Sequence, residues 1–223
     1  MKIYIVIPAY NEEKTIGKVL TGLKSAGYDN LVVVDDGSND KTYEIATNHN
    51  AIVLRHILNR GLGGALSTGI KAAIKRGAEI IVTFDADDQH SVEDIKKITQ
   101  PVEKKEAEVV IGSRLLDPKG MPFFRRILNQ FGNIATFILF GIWVTDSQSG
   151  LRAFSRKAAE KIDIKTSQME VSSEIIREIG MNQLKLKEVP IQAIYTDYSL
   201  SKGQNLFVGI KTFIKLIMHR LMH

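Results

Sequence analysis

Over its first half the chain alternates between two hydrophobic rhythms. Short apolar runs rich in β-branched residues occur at Ile3–Ile7, Leu31–Val34, Ala51–Leu54, Glu79–Phe84 and Glu108–Ile111. Between them the spacing changes: Ile16, Val19, Leu20 and Leu23 fall at i, i+3, i+4 and i+7, which is one face of a helix. Further helices are predicted over Ala65–Lys75 and Val92–Glu103. Strands alternating with helices of about three turns imply βαβ units and a mostly parallel sheet. Parallel strands covered on both faces lose polar alternation, and Val32-Val33-Val34 is such a run.

After Leu115 the alternation stops. Pro118–Pro122 predicts a turn, and Phe123–Val144 reads as one or two apolar helices interrupted by Asn129, Asn133 and Gly141. A loop at Thr145–Gly150, a strand-like Leu151–Phe154, a helix around Val171–Ile179 and an edge strand over Leu184–Val189 follow. A basic apolar helix from about Leu206 closes the chain. There is no internal repeat and no low-complexity linker.

With 223 residues, 44% hydrophobic and 25% charged, the chain can bury one substantial core and is not a disordered sequence. The absence of cysteine excludes disulfides, thiolate metal sites and cysteine nucleophiles. The apolar start stops at Pro8, too short for a signal peptide, and no run of about 20 apolar residues exists. A cytoplasmic chain without a spanning helix is therefore expected.

The formal charge of +5 is unevenly placed. Residues 118–145 hold Lys119, Arg125 and Arg126, and residues 198–223 hold Lys202, Lys211, Lys215 and Arg220, with no acid in either. Both segments are apolar, which points to an anionic membrane surface rather than to nucleic acid. In the second, Leu206, Ile210, Phe213, Ile214, Ile217 and Leu221 share one helical face. Peripheral attachment through these two helices is the expectation, with core packing or a homo-oligomer interface as their competing use.

In parallel α/β sheets, ligands bind beyond the carboxyl ends of the strands. The residues there are Pro8-Ala9-Tyr10-Asn11-Glu12, Asp35-Asp36-Gly37-Ser38, Asp85-Ala86-Asp87-Asp88-Gln89 and Gly112-Ser113-Arg114. Asp85 and Asp87 can reach one hard cation where the chain turns, and Gln89 can add a carbonyl oxygen. Helix capping by Asp88 or Ser91 is the plainer use of that acidic cluster. Asp36 is placed to accept from a nucleobase while Gly37 lets the chain approach, Tyr10 to stack on a base, and Glu12 to bond ribose or base. Capped helix starts would serve equally for both segments. His49, His56 and His90 show no ligand spacing and receive no role. No Gly-X-Gly-X-X-Gly follows the first strand, which excludes a dinucleotide dehydrogenase.

Taken in order, these motifs resemble family 2 glycosyltransferases over nearly the whole chain, together with Asn59-Arg60-Gly61-Leu62-Gly63, His90 after Gln89, and Asp146-Ser147-Gln148-Ser149-Gly150-Leu151-Arg152. Within that family the chain looks most like the polyprenyl-phosphate branch typified by dolichol-phosphate mannose synthase. The resemblance implies an α/β fold of GT-A type. In one continuous domain, residues 1–117 would bind the nucleotide-sugar, and residues 118–223 would bind the acceptor and carry interface helices at 118–145 and 204–223. It implies nucleotide contacts at Pro8, Tyr10, Glu12, Asp36 and Ala86, and Mg2+ or Mn2+ at Asp85, Asp87 and Gln89. Arg114 would contact the donor diphosphate or the acceptor phosphate.

A polyprenyl phosphate acceptor is already ionised, so bringing it to the donor needs cations rather than a strong base. Arg114, Arg152 and Lys202 are the candidates, the latter two with surface positions as the alternative. Asp146 would position the acceptor or cap its turn. The family implies inversion at the sugar. GDP-mannose, UDP-glucose and UDP-N-acetylglucosamine all remain as donors. The arginine that mannose synthases carry just upstream of their C-terminal Ser-Lys is missing before Ser201-Lys202. A soluble or polysaccharide acceptor, or a silent nucleotide-binding scaffold, are the competing functions.

Overall fold

A computed structural model of the protein describes residues 1–167, 170–192 and 194. Lys202 and the helix expected from about Leu206 lie outside the described residues. The chain builds β1 (Ile3–Ala9), α1 (Ile16–Ser25), β2 (Leu31–Asp35), α2 (Thr42–Asn48), β3 (Ile52–Arg55), α3 (Gly61–Lys75), β4 (Ile80–Thr83) and α4 (Glu93–Glu103). It continues through β5 (Val109–Ser113), α5 (Phe123–Phe140), β6 (Arg152–Ser155), α6 (Arg156–Lys161), α7 (Val171–Met181) and β7 (Leu186–Pro190).

The seven strands form one sheet in the order β3-β2-β1-β4-β6-β5-β7. All neighbouring pairs are parallel except those made by β6, which runs antiparallel to both β4 and β5. Strand alternation divides the core in two. Tyr4, Val6, Val32 and Val34 face α3, while Ile5, Ile7, Leu31 and Val33 face α1 and α4. The apolar stripe of α1, Ile16, Val19, Leu20 and Leu23, is buried on the second of these faces. Each such side chain contributes roughly 1.5–3 kcal/mol relative to exposure.

α5 is one helix, not two: Asn129 and Asn133 lie within it, and only Gly141, left-handed at φ 71°, ends it. Its two faces differ in kind. Asn133, Ala135, Thr136 and Leu139 are buried, whereas Phe123, Phe124, Phe131 and Ile138 are 56–76% exposed. No helix among the described residues is long and apolar enough to cross a membrane.

Candidate active site

The order β3-β2-β1-β4 reverses direction between β1 and β4, which opens a crevice at their carboxyl ends. Loops after β1 and β2 line one side and satisfy each other's backbone. The amide of Asn11 donates to Ser38 Oγ at 3.0 Å, that of Glu12 to Thr42 Oγ1 at 2.8 Å, and that of Asn39 to Asn11 Oδ1 at 3.0 Å. Tyr10 is left 44% exposed at the rim, above half-buried Pro8 and Glu12.

Asp36 sits beneath them, buried, with its carboxylate accepting from Arg60 N at 2.9 Å, Gly61 N at 2.7 Å and His56 Nδ1 at 2.6 Å. The other nitrogen of His56 meets Thr68 Oγ1 at 2.9 Å. These bonds make Asp36 the anchor of the turn into α3. Gly37 allows that turn: a Cβ there would lie 3.0 Å from the amide nitrogen of Asn59.

Across the crevice, β4 ends in the acidic turn. Asp85 accepts from Nε2 of buried His90 at 2.9 Å, and His90 packs edge-on to Phe84 with centroids 5.6 Å apart. Asp87 accepts from both the backbone and the side-chain amide of Gln89. Ala86, between them, turns its methyl into the core, so only its backbone faces the crevice. Asp88 holds a left-handed φ of 62° and pairs with Lys18 of α1. Val92 rather than Asp88 or Ser91 stands at the N-cap of α4, and no side chain caps that helix.

The two carboxylates titrate in opposite directions. Burial acts to raise Asp85, but the hydrogen bond and field of His90, with Arg114 and Arg152 behind, hold it below the usual carboxylate range. Burial, then the neighbouring Asp85 charge, pushes Asp87 up to about 6. Two carboxylates this close repel each other and offer hard oxygens to the crevice. That suits Mg2+ or Mn2+ held by Asp85, Asp87 and the Gln89 oxygen. Among the described residues no group of three acidic or histidine side chains is arranged to hold a metal ion, His90 being spent on its bond to Asp85, so remaining ligands would come from a bound diphosphate or water.

β6 brings the third group. Because it runs backwards, its first residue pairs with the last of β4, Thr83 with Arg152, and the preceding loop arrives at the same end of the sheet. Gly150 is pressed against Asp85: a Cβ on it would lie 2.1 Å from Oδ2, so a larger residue displaces the carboxylate. Thr83 Oγ1 donates to the Gly150 carbonyl at 2.7 Å. Arg152 is 2% exposed, which rules out the surface alternative, and donates through Nη2 to the Ser147 carbonyl at 2.8 Å. Burial and the nearby Arg114 bring its pKa to about 10, against the opposing fields of Asp85 and Asp146, so it stays charged at neutral pH.

Arg114 leaves β5 and is gripped by fully buried Asp146, which accepts from its backbone N at 3.0 Å, Nε at 2.7 Å and Nη2 at 2.8 Å. Asp146 therefore positions a cation, beyond capping its turn. The 145–150 loop is held from α5 by Asn133, whose Oδ1 accepts from Ser147 N and Oγ at 2.8 and 2.9 Å. The structure thus gathers Asp85, Asp87, Gln89, Arg114 and Arg152 at adjoining strand ends, while Lys202 lies outside the described residues.

Sequence reading assigned nothing to His56, His90, Asn133 or Glu188. A histidine five positions after a candidate metal carboxylate, across a turn, was the one local signal available.

The sequence model of Glycosyl transferase family 2 matches residues 4–163 of this chain. The chain belongs to that family. It is a glycosyltransferase. It is 54% identical over 225 residues to an uncharacterised protein of Methanocaldococcus jannaschii, covering 99% of this chain and 93% of that protein. It is 42% identical over 241 residues to a UDP-N-acetylglucosamine–dolichyl-phosphate N-acetylglucosaminyltransferase of Methanococcus voltae, covering 98% and 96%. Its fold matches glucosyl-3-phosphoglycerate synthase of Mycobacterium tuberculosis, solved with Mn2+, UDP-glucose and phosphoglyceric acid. That match has a TM-score of 0.76 at 20% identity, over 98% of this chain and 79% of the other, and supports the GT-A-type fold.

Proposed function

We propose that this glycosyltransferase moves a hexose, with inversion, from a nucleotide-sugar to a polyprenyl or dolichyl phosphate at a membrane surface. The observation that carries the acceptor reading is α5. One helix turns an apolar face outward and, through Asn133 on its buried face, holds the loop that bears Asp146 and contacts Arg114. Lys119, Arg125 and Arg126 sit on or just before α5 with no acid in that segment, which suits the anionic cytoplasmic leaflet. Peripheral attachment there, residues 1–117 for the donor and 118–223 for the acceptor form the working division. The relative of Methanococcus voltae favours UDP-N-acetylglucosamine as donor.

Tyr10 stacks on the base, and Pro8, Glu12 and the Ala86 backbone complete the nucleotide contacts, with Asp36 holding the α3 turn in place. Asp85, Asp87 and Gln89 hold Mg2+ or Mn2+, which when bound offsets the diphosphate charge and makes it a better leaving group. Arg152 keeps a buried positive charge behind Asp85, so the acidic turn stays ionised there. Arg114, fixed in plane by Asp146, receives phosphate oxygens. The acceptor phosphate is ionised near neutral pH and needs no strong general base. One of its oxygens bonds to the anomeric carbon as the bond to the diphosphate breaks on the opposite face. The departing diphosphate keeps the electron pair, and an α-linked donor gives a β-linked lipid-phosphate sugar. Lys202 is a third candidate cation.

The test is transfer to a short polyprenyl phosphate in detergent with Mn2+, offering UDP-N-acetylglucosamine, UDP-glucose and GDP-mannose side by side. Label in the lipid phase with the first donor is the expected result. Donor hydrolysis without lipid labelling removes the lipid acceptor and leaves the donor site standing.

A further inference from the structure

Glu188 belongs to no motif, yet it stands behind the site's best-defined cation. It lies on the edge strand β7, opposite Ile111 of β5, two residues before the end of that strand. Its carboxylate is turned to the 145–150 loop. Oε1 accepts from Thr145 N at 2.8 Å, Thr145 Oγ1 at 2.7 Å and Asp146 N at 3.3 Å, and Oε2 from Thr145 N at 3.0 Å. The single proton of Thr145 Oγ1 is thereby used, so the 2.6 Å contact with Ser113 Oγ is a bond that Ser113 donates. Ser113 Oγ in turn accepts from Leu115 N at 3.3 Å. Both flanks of Arg114 and the backbone of Asp146 are thus tied to one carboxylate.

We propose that Glu188 is a positioning residue for Arg114, acting through Thr145 and the Asp146 backbone to fix the carboxylate that grips the guanidinium. Removing it leaves Arg114 paired with an Asp146 whose own backbone is loose. A phosphate ligand then meets a cation displaced from its productive place, and misplacement by about 1 Å costs on the order of 100-fold. The inference rests on the reading of Arg114 as a phosphate contact.

The experiment is a double-mutant cycle on sugar transfer, with donor and acceptor varied separately. Arg114→Ala is expected to raise the KM of one of the two substrates. Glu188→Ala should raise the KM of that same substrate by about 10- to 100-fold, leaving the other within about threefold. Glu188→Gln, which keeps an acceptor oxygen, should recover most of the loss. In the Arg114→Ala background, Glu188→Ala should add nothing further. Thr145→Val, which keeps the shape and removes one bond, should show the same signature more weakly, and with Glu188→Gln it carries the comparison if Glu188→Ala does not fold. A loss that persists in full without Arg114, or that falls on both substrates alike, makes Glu188 a structural staple and overturns the inference. Impaired Arg114→Ala beside unimpaired folded Glu188 variants overturns the inference alone. Arg114→Ala with unchanged kinetics removes the reading of Arg114 itself, and the inference with it.

Discussion

The two sides of the crevice hold polar groups at strand ends in opposite ways. Around β1, β2 and α3, short hydrogen bonds join adjacent loops, and the two buried carboxylates, Asp35 and Asp36, are spent on backbone amides and on the neighbouring side chains of Arg55 and His56. Around β5, β6 and β7, whole charges are buried and balanced over long sequence distances, Arg114 on Asp146, and Arg152 between Asp85 and Asp146. The first arrangement is a floor in which each bond is replaceable. The second is a charge balance in which losing one member strands another, and that costs more than the pair contributed.

The sharpest break is at the acidic turn. Asp87→Ala should lower transfer by roughly 1000-fold, the scale of losing a charge-stabilising group, while thermal stability holds or rises as the like charges separate. Transfer within tenfold of wild type would end the metal assignment to that carboxylate. Next comes Gly150→Ala, whose new methyl must displace Asp85. A fall of about 100-fold is expected, with a raised Mn2+ requirement read by titrating the metal.

The comparison itself is tested by stability. Asp146→Ala should cost about 3 kcal/mol by leaving Arg114 and Arg152 short of a partner, whereas Thr42→Ala on the β1–β2 side should cost about 1 kcal/mol. Equal costs in urea unfolding would erase the distinction. On the outer face of α5, Phe131→Glu with Ile138→Glu should abolish co-sedimentation with anionic vesicles and change stability by less than about 0.5 kcal/mol. Retained vesicle binding would move the membrane contact elsewhere.

The smallest effect is a proton. Asp87 in the folded protein, at about 6, lies above its ordinary value, so the metal-free protein binds a proton there that the unfolded chain does not. Its stability should therefore rise as pH falls through about 6, and Mn2+ should expel about half a proton at pH 6 and almost none at pH 7.5. Calorimetry in two buffers of different ionisation enthalpy measures this, with Asp87→Asn as the zero.

Much of this was legible because it was local. Buried parallel strands announce themselves as Ile-Val runs, and polar residues gather where those runs stop, so Asp85, Asp87 and Tyr10 could be picked out before any fold was known. α2 and α6 were not drawn, being short helices of 7 and 6 residues with little room for a repeating apolar pattern. Arg152 was read as a candidate cation with a surface alternative. Its burial follows from β6 lying between β4 and β5, a pairing that no local pattern encodes. Asn133 was read as an interruption because an asparagine in an apolar helix is costly unless bonded, and its partners lie 12 to 14 residues away. Glu188, between Lys187 and Val189 on an edge strand, gave no sign at all.

The backward course of β6 also sets an order of events. The floor around β1, β2 and β3 needs only strands whose neighbours are joined by single helices, so it can close early. Arg152 reaches Thr83, and Glu188 reaches Ile111, only after the chain has travelled out through α5 and returned, and such distant closures come slowly. Until then Asp85 lacks both Gly150 and the buried guanidinium. In a chain emerging during synthesis the floor of the crevice would therefore stand before its charged wall, and the last pairings in the sheet would be the ones that complete the site.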